Sequence, residues 1–286
     1  MSKIILITGT SAGFGKLITI TLAKEGNSVI AAMRNTATTN ATVAAELNAL
    51  PNVEVVEMDV TSTDAVNTAI EKTVKKYGRI DVLVNNAGIG AVGFLEATSI
   101  EQMKSVFEVN LWGYIRTIQG VLPSMRRQKS GLIINVSSNL GILSVPYMAP
   151  YIGSKYAIEG MTESLRYEIK KYGIEAVTLM PGPFPTEIAG KSQGPDRPEI
   201  IEAYGEEEMN KIRQFGGIMY GKIMEYRMDN QEVADAVKKV IGLKPGTRPA
   251  QTLVSRMADG IEQEFANSKI GIKTEWMERS GFGEYI

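Results

Sequence analysis

The hydrophobic positions of the chain form short runs, rich in β-branched residues, that alternate with longer amphipathic segments. Several runs are apolar on both faces, which is typical of buried parallel strands. Strands are predicted over residues 3–8, 28–33, 53–58, 80–85, 132–137 and 175–180. Helices are predicted over residues 15–25, 39–50, 63–77, 100–127 and 151–172, the fourth of them broken near 120–123. This alternation predicts an α/β fold, a doubly wound parallel sheet that binds ligands at the carboxyl ends of its strands.

The C-terminal part of the chain follows a different pattern. Prolines and glycines over residues 181–198 predict a loop, and residues 199–229 then follow helical spacing. A further helix is predicted over 231–241 and a final strand over 249–255. We interpret the chain as a single domain over residues 1–286, with a core over 1–190, an inserted lobe over 191–230, and a last helix, strand and C-terminal extension over 231–286.

The composition excludes several classes of chemistry, because the 286 residues include no cysteine and no histidine. Without cysteine there is no disulfide framework, thiolate nucleophile, zinc–thiolate site or cysteine-ligated iron–sulfur cluster. Without histidine there is no Ser-His-Asp triad, imidazole base or histidine-ligated metal. No metal site is predicted, and any acid–base chemistry must come from Asp, Glu, Lys or Tyr.

Charge and hydropathy limit the expected partners. The 31 Lys and Arg residues against 32 Asp and Glu residues give a net charge of −1, which argues against a nucleic-acid partner. No apolar run approaches the roughly 18–20 residues needed to span a bilayer. The apolar stretch after Lys3 is too short for a signal peptide, and no small-residue cleavage site follows it. The sequence therefore predicts a cytoplasmic protein with no membrane partner.

A glycine-rich turn, TGTSAGFG over residues 8–15, lies between the first predicted strand and the first predicted helix. Glycines let the backbone turn sharply and approach a pyrophosphate, whose charge the helix N-terminus then stabilises. The spacing is G-x-x-x-G-x-G rather than the commoner G-x-G-x-x-G. A purely structural turn gives the same pattern, but we favour phosphate binding. The candidate cofactor-binding residues of the turn are Gly9, Ser11, Gly13, Phe14 and Gly15.

The end of the second predicted strand bears on the choice of cofactor. Dinucleotide-binding motifs usually place an acid about 20 residues after the glycines, where it binds the ribose 2′-hydroxyl. Here the acid is absent and Arg34 follows Met33. A carboxylate repels a 2′-phosphate, whereas a guanidinium pairs with it through charge-assisted hydrogen bonds. The sequence thus predicts NADP(H) over NAD(H), the alternative being that Arg34 is a solvated surface residue.

Tyr151 and Lys155 stand at i and i+4 of a predicted helix, so the phenol and the ammonium share one face. Ser138 follows the strand at 132–137, at the edge where ligands bind. A cation about 4 Å away, at an effective dielectric near 20, is expected to lower a phenol pKa of ~10 by up to ~3 units. Tyr151 then approaches the range of an acid–base catalyst, with Ser138 holding a substrate oxygen. The spacing also occurs on exposed helices, and Tyr147 is a rival base that lacks a lysine at i+4.

Taken together, these motifs resemble those of the short-chain dehydrogenase/reductase family, closely over about residues 3–190. The ordered set consists of TG-x-x-x-G-x-G from Thr8, Asp59-Val60, NNAG over 85–88, Asn110, Ser138, Tyr151-x-x-x-Lys155 and Pro181-Gly182. The resemblance implies a Rossmann fold, with the cofactor-binding and catalytic core over 1–190 and a substrate lobe over 191–230. It also implies an oxidoreductase that uses NADP(H), acts on a small carbonyl or alcohol, and forms a homodimer or homotetramer.

The resemblance implies a role for each matching residue. Tyr151 would give a proton to the carbonyl in reduction or take one in oxidation, and Lys155 would lower its pKa and bind the nicotinamide ribose. Ser138 would polarise the substrate oxygen, and Asn110 would hold a proton-relay water. The remaining expected cofactor contacts are Asp59 at the adenine with Val60 beside it, Asn85 and Gly88 along the cleft, and Thr186 at the carboxamide.

The loops expected around the substrate are apolar or small, at residues 89–95, 140–148 and 184–188, which favours a neutral and rather apolar substrate. The lobe carries an apolar stripe that fits either a lid or core packing: Met209, Ile212, Phe215, Met219 and Ile223. Two other functions remain open, a non-catalytic NADP-binding regulator and an epimerase or dehydratase with the same fold. The presence of a proton-transfer set argues against the regulator, which has no need of one. The lack of a large substrate domain argues against the epimerase or dehydratase.

Overall fold

The computed structural model describes residues 2–187 and 192–285. Within these ranges the strands form one parallel sheet in the order β3-β2-β1-β4-β5-β6-β7. Their bounds are β1 Ile4–Thr8, β2 Ser28–Met33, β3 Val53–Glu57, β4 Val82–Asn85, β5 Gly131–Val136, β6 Ile174–Pro181 and β7 Gln251–Val254. The strand order reverses between β1 and β4, which opens a crevice at their carboxyl ends. The predicted doubly wound sheet is confirmed.

Helices cover both faces of the sheet, because its central strands are apolar on both sides. Their bounds are α1 Gly13–Lys24, α2 Ala41–Asn48, α3 Thr63–Tyr77, α4 Ile100–Phe107, α5 Gly113–Gln128, α6 Ala149–Ile169, α7 Pro198–Glu225, α8 Gln231–Gly242 and α9 Ile261–Arg279. One buried cluster joins the sheet to α1 and α8, and another joins it to α3 and α5. In the described ranges no helix is long and apolar enough to cross a membrane.

The helical segment over residues 100–128 differs from the prediction. We expected a break near 120–123, but α5 runs through Gly120 and Pro123 without interruption. Gly120 allows a close approach of α3, since a Cβ there would lie 2.5 Å from Ile70 Cδ1. The irregularity lies earlier, where Glu108–Trp112 form a π turn between α4 and α5. Such turns are often found at functional sites, and this one contains Asn110.

The C-terminal region also departs from the prediction. The helix at 231–242 is not the last, because residues assigned to an extension form α9. This helix packs through Ala266 against Ile142 and Met180, which anchors it near the carboxyl end of β6. The expected boundary between residues 190 and 191 lies outside the described residues, as does Ile188 of the loop at 184–188.

The lobe docks on the loop that follows β4. Ala91 and Gln193 form a β-bridge, the Val92 N–H donates to Gln193 O at 3.1 Å, and Ser99 binds the Asp196 carboxylate. All five residues of the predicted apolar stripe are partly buried on α7, which is interrupted by non-helical Gly205. The rings of Phe215 and Tyr147 meet edge to face at 5.8 Å. Phe215 of the stripe thus contacts the segment that leads into α6, whereas Ile223 packs against the buried cluster that joins the sheet to α1 and α8.

Candidate active site

The turns after β1 and β4 are tied together at the crevice. The Thr8 hydroxyl accepts hydrogen bonds from the Asn86 N–H at 3.0 Å and the Ala87 N–H at 3.1 Å. The Asn86 side chain donates to Thr8 O at 2.9 Å and to Gly9 O at 3.1 Å. The hydrogen bonds of Asn86 therefore join the turn after β4 to the start of the glycine-rich turn.

The glycine-rich turn fits a bound dinucleotide. Gly9 and Gly13 have φ values of 69° and 51°, in the left-handed region that glycine favours. A Cβ on Gly15 would lie 2.3 Å from Gly9 O, so a larger residue there would push helix and strand apart. Ala12, the N-cap of α1, makes no side-chain cap, so the first N–H groups of α1 remain available to an anion.

The segment after β6 lies over this turn. The nearest atom to a Cβ built on Gly13 is Cβ of Thr186, at 3.9 Å. Phe14 and Phe184 pack edge to face with their ring centroids 5.5 Å apart. Ser11, in the same turn, is partly exposed. Thr186 therefore lies over the glycine-rich turn, and its predicted contact with the carboxamide stays a prediction.

The end of β2 holds Arg34 at the protein surface, where its side chain is exposed. The next two residues are held by Glu57 at the end of β3, whose carboxylate accepts from the Asn35 N–H at 2.7 Å and the Thr36 N–H at 2.8 Å. Hydrogen bonds from Thr36 and Asn35 lower the pKa of Glu57. No local pattern singles out Glu57 in the sequence, because its partners lie more than twenty residues away and only strand pairing brings them together.

The predicted adenine contacts follow β3. One carboxylate oxygen of Asp59 accepts from the N–H and the hydroxyl of Thr61, at 2.9 and 2.8 Å, which leaves its other oxygen free of these bonds. Val60 is buried against α5, and a Cβ built on Gly113 would lie 2.9 Å from its Cγ2. Gly113 thus allows α5 to approach the edge of the crevice.

The side chain of Asn85 does not line the cofactor cleft, contrary to the prediction. It is fully buried, donates to Asn135 Oδ1 at 2.9 Å and accepts from the Thr117 hydroxyl at 2.6 Å. Asn135 in turn donates to the Thr162 hydroxyl at 2.8 Å. These four side chains form a polar ladder across the sheet. The Asn85 side chain is thus fully engaged inside the protein.

Asn110 and Gly88 meet below the predicted substrate position. The Asn110 amide accepts from the Ile89 N–H at 2.8 Å and donates to Ile89 O at 2.9 Å and Ser154 Oγ at 3.1 Å. A Cβ on Gly88 would lie 3.3 Å from Asn110 Oδ1. The π turn therefore places Asn110 between the loop after β4 and helix α6.

The structure brings Ser138, Tyr151 and Lys155 together at the carboxyl end of β5. Ser138 caps a short 3₁₀ turn, and its hydroxyl accepts from the Leu140 N–H at 3.1 Å. Tyr151 and Lys155 are one turn apart on α6, with the Lys155 ammonium 5.6 Å from the centroid of the Tyr151 ring. The ammonium donates to Val136 O at 3.0 Å, a carbonyl that also accepts from the Tyr114 hydroxyl.

The pKa values correct one prediction. Burial raises the pKa of the Tyr151 phenol above its ordinary 10.0, and a hydrogen bond with Ser138 only partly opposes this. The prediction that Lys155 lowers the pKa of Tyr151 is wrong for this structure. The Lys155 ammonium donates its hydrogen bond to Val136 O and not to the phenol oxygen. Burial lowers the pKa of Lys155 to about 8, against the opposing effect of the Glu159 carboxylate.

Comparison with known proteins agrees with this geometry. A sequence model described as "short chain dehydrogenase" matches residues 3–196. The chain belongs to the short-chain dehydrogenase/reductase family. The 3-ketodihydrosphingosine reductase of Bacteroides thetaiotaomicron is 34% identical to this short-chain dehydrogenase/reductase over 206 residues, 72% of this chain and 71% of that protein.

Two solved structures extend the likeness of this short-chain dehydrogenase/reductase beyond the matched core. An alcohol dehydrogenase of Thermococcus sibiricus, complexed with 5-hydroxy-NADP, is 25% identical with a TM-score of 0.71 and covers 89% of this chain and 96% of its own. A short-chain dehydrogenase/reductase of Burkholderia phymatum, in complex with NAD, is 26% identical with a TM-score of 0.76 and covers 95% of each chain. The protein is therefore an oxidoreductase of the hydride-transfer type.

Proposed function

We propose that this protein is an NADP(H)-dependent oxidoreductase that interconverts a neutral, rather apolar carbonyl compound and its alcohol. The observation that carries the proposal is the convergence of Ser138, Tyr151 and Lys155 at the carboxyl end of β5, one strand away from the glycine-rich crevice. In a chain without histidine or cysteine, this set supplies both a hydrogen-bond donor for a substrate oxygen and a proton donor.

The chain's own groups divide the work of reduction between them. The cofactor, when bound, supplies the hydride. Ser138 donates a hydrogen bond to the carbonyl oxygen, and Tyr151 delivers the proton that this oxygen needs as negative charge develops on it. Its raised pKa keeps the phenol protonated at neutral pH, which suits a proton donor. Lys155 is mostly charged at pH 7 and binds the nicotinamide ribose.

The remaining predicted residues are assigned to the cofactor and to proton relay. The turn containing Gly9, Ser11, Gly13, Phe14 and Gly15 would hold the pyrophosphate, and Asp59 with Val60 would border the adenine. Gly88, the Asn85 backbone and Thr186 would border the nicotinamide half, while Asn110 would hold a water between Lys155 and solvent. The exposed Arg34 supports NADP(H), because no acid stands at the end of β2 to bind a 2′-hydroxyl.

Apolar side chains support the proposed substrate class. Phe94, Leu140 and Ile142 are buried in the loops after β4 and β5, and Phe94 stacks on Tyr204 of the lobe with ring centroids 3.9 Å apart. Such a lining penalises a charged substrate through desolvation. The Bacteroides relative is named for reduction of 3-ketodihydrosphingosine. A cytoplasmic location, a homodimer or homotetramer, the single-domain organisation and the lack of a nucleic-acid partner stay predictions.

The substrate class is tested by following NADPH oxidation with neutral carbonyls, namely benzaldehyde, acetophenone, cyclohexanone and decanal. Pyruvate and glucuronate serve as charged comparisons. We expect turnover of at least one neutral compound and a kcat/KM at least about tenfold lower for the charged ones, because burying an unpaired carboxylate is costly. Tight NADPH binding without any turnover would instead favour the regulator, and preference for the charged carbonyls would contradict the substrate class.

The cofactor preference is tested at Arg34. We expect Arg34→Ala to raise the Kd for NADPH by about 10- to 100-fold, the value of a charge-assisted hydrogen bond, and the Kd for NADH by less than about twofold. Fluorescence titration with both cofactors measures this directly. Arg127→Ala, an exposed arginine of α5, is the matched control and is expected to change neither constant. Equal losses for the two cofactors would contradict the assignment.

A further inference from the structure

A second buried charge lies one helical turn beyond Lys155. Glu159 follows Lys155 by four residues on α6, so the two side chains share one face of the helix. Lys155 is 4% exposed and Glu159 is 6% exposed. Arg248, the other buried cation of the described residues, is paired with Glu175. Lys155 is therefore the buried cation that remains to balance the charge of Glu159.

The end of β5 brings the two charged side chains close together. The Lys155 ammonium donates to Val136 O at 3.0 Å. A Cβ built on Gly141 would lie 2.8 Å from Glu159 Cγ and 2.8 Å from Ser137 Oγ, so the Glu159 side chain lies against the residue that follows Val136. The two charges thus lie in the same part of the interior, where solvent screens their attraction only weakly.

The next two strands hold the Glu159 carboxylate in this position. Its Oε2 accepts from the Thr178 hydroxyl at 3.0 Å and from Gln251 Nε2 at 2.7 Å, and these two residues are direct partners in the pairing of β6 with β7. A glutamine in place of Glu159 would accept the same hydrogen bonds through its amide oxygen, without the cost of burying a charge. The contact between α6 and the sheet therefore does not account for an acid here, whereas a buried cation nearby does.

The surroundings of Glu159 act on its carboxylate in opposite directions. Burial raises its pKa, and hydrogen bonds from Ser137, Gln251 and Thr178 oppose this effect because they favour the ionised form. The ammonium of Lys269, on α9, also lowers the pKa of Glu159. Hydrogen bonds and a second cation thus support the charged state of the buried acid.

The surroundings of Lys155 contain two phenols in addition to this acid. The ammonium lies 5.6 Å from the ring centroids of both Tyr114 and Tyr151. Burial raises the pKa of both phenols, so neither carries a negative charge at neutral pH. Burial lowers the pKa of Lys155 to about 8, and the charge that opposes this lowering is that of Glu159.

We propose that Glu159 is a positioning residue that acts through Lys155, as the buried counter-charge that keeps the ammonium charged for cofactor binding. Without the carboxylate the lysine would release its proton more easily, and the crevice would lose a positive charge that attracts the anionic cofactor. The proposal rests on the proposed function, because it takes Lys155 to bind the cofactor.

The first experiment measures the coupling by urea unfolding between pH 6 and pH 10, in the unsubstituted protein, Glu159→Gln, Lys155→Met and the double variant. In the unsubstituted chain the stability gained from Lys155→Met declines above about pH 8, where the folded lysine loses its proton. In Glu159→Gln we expect this decline to begin about one pH unit lower, because a nearby opposite charge changes a pKa by about that much. Glu163→Gln is the control, since it removes an acid one turn farther along α6 that is paired with Lys273, and the decline is expected to stay in place.

The second experiment is a fluorescence titration of NADPH at pH 6 and pH 8. At pH 8 about half of the Lys155 side chains are charged in the unsubstituted protein, against about a tenth when the pKa is one pH unit lower. We expect Glu159→Gln to raise the Kd for NADPH about fivefold at pH 8 and less than about twofold at pH 6, because only the charged fraction binds well. An equal rise at both pH values indicates a structural effect and would overturn the role.

A second variant removes the charge without replacing Glu159. If thermal unfolding shows that Glu159→Gln does not fold, Thr178→Val combined with Gln251→Met takes its place. Loss of both hydrogen bonds lets the buried carboxylate take up a proton, so the decline is expected to move in the same direction.

The outcomes separate the two proposals. If NADPH does not bind the unsubstituted protein, the proposed function fails and the cofactor role of Glu159 fails with it. The unfolding comparison uses no cofactor, and it still decides whether Glu159 and Lys155 are coupled. A decline that stays at about pH 8 in Glu159→Gln, while NADPH binds the unsubstituted protein, overturns the role of Glu159 alone.

Discussion

Tyr151→Phe is expected to lower kcat by about 10³-fold while NADPH binds with an unchanged Kd, since general acid–base catalysis contributes about 10² to 10⁴ in rate. The substitution removes only the hydroxyl, and the partly buried ring keeps its place on α6. Proton delivery to the developing alkoxide is lost, and no histidine or cysteine exists to replace it. Steady-state NADPH oxidation with the best neutral carbonyl, together with fluorescence titration of NADPH, measures both quantities.

Tyr147→Phe is the matched control for that experiment. Tyr147 lies four residues earlier, and its ring contacts Phe94 and Phe215, at centroid distances of 5.8 Å, do not involve its hydroxyl. We expect Tyr147→Phe to retain activity within about twofold. A large loss in Tyr147→Phe with little loss in Tyr151→Phe would assign the proton transfer to the rival tyrosine.

Lys155→Met is expected to abolish most of the activity and at the same time to stabilise the protein. Lys155 is 4% exposed, and burial holds its pKa near 8 instead of 10.5. At 1.36 kcal/mol per pKa unit, carrying this charge in the folded state below pH 8 costs about 3 kcal/mol. Methionine fills the same space without the charge, and Val136 O keeps its hydrogen bond from Tyr114.

The sign of the pH dependence follows from the direction of the shift. The unfolded lysine binds its proton more tightly than the folded one, so the unfolding free energy of the unsubstituted protein rises with pH between about 8 and 10.5. The gain from Lys155→Met is therefore largest below pH 8 and disappears above about 10.5. Urea unfolding at pH 7 and pH 10 measures it, with the exposed Lys72→Met as control. A destabilised Lys155→Met at pH 7 would contradict the argument.

The sequence predicted the framework well because the framework depends on local patterns. Runs apolar on both faces located the strands, and the glycines at 9, 13 and 15 located the first turn. Ser138, Tyr151 and Lys155 were predictable because α6 fixes the spacing of two of them and a strand end fixes the third. Parallel strands align their carboxyl ends, so motifs distant along the chain meet at one edge.

What the sequence did not predict depends on contacts between distant segments. The side chain of Asn85 points into the protein because it forms hydrogen bonds with Asn135 and Thr117. No local sequence pattern indicates whether this side chain points into the protein or into the cleft. The π turn at Glu108–Trp112 has no sequence signal of its own. Helix α9 has a polar, weakly patterned sequence, so its link from Glu262 to Asn139 became visible only in three dimensions.

The polar ladder beneath the site has a consequence for how the chain selects its fold. β4 and β5 are apolar on both faces, so a slip of one residue would exchange one aliphatic side chain for another at little cost. Asn85 and Asn135 are direct partners in the observed alignment. A slip would strand both amides in the hydrocarbon interior, at about 1–3 kcal/mol for each unsatisfied group. The two asparagines thus favour the observed alignment of β4 and β5 over alignments shifted by one residue.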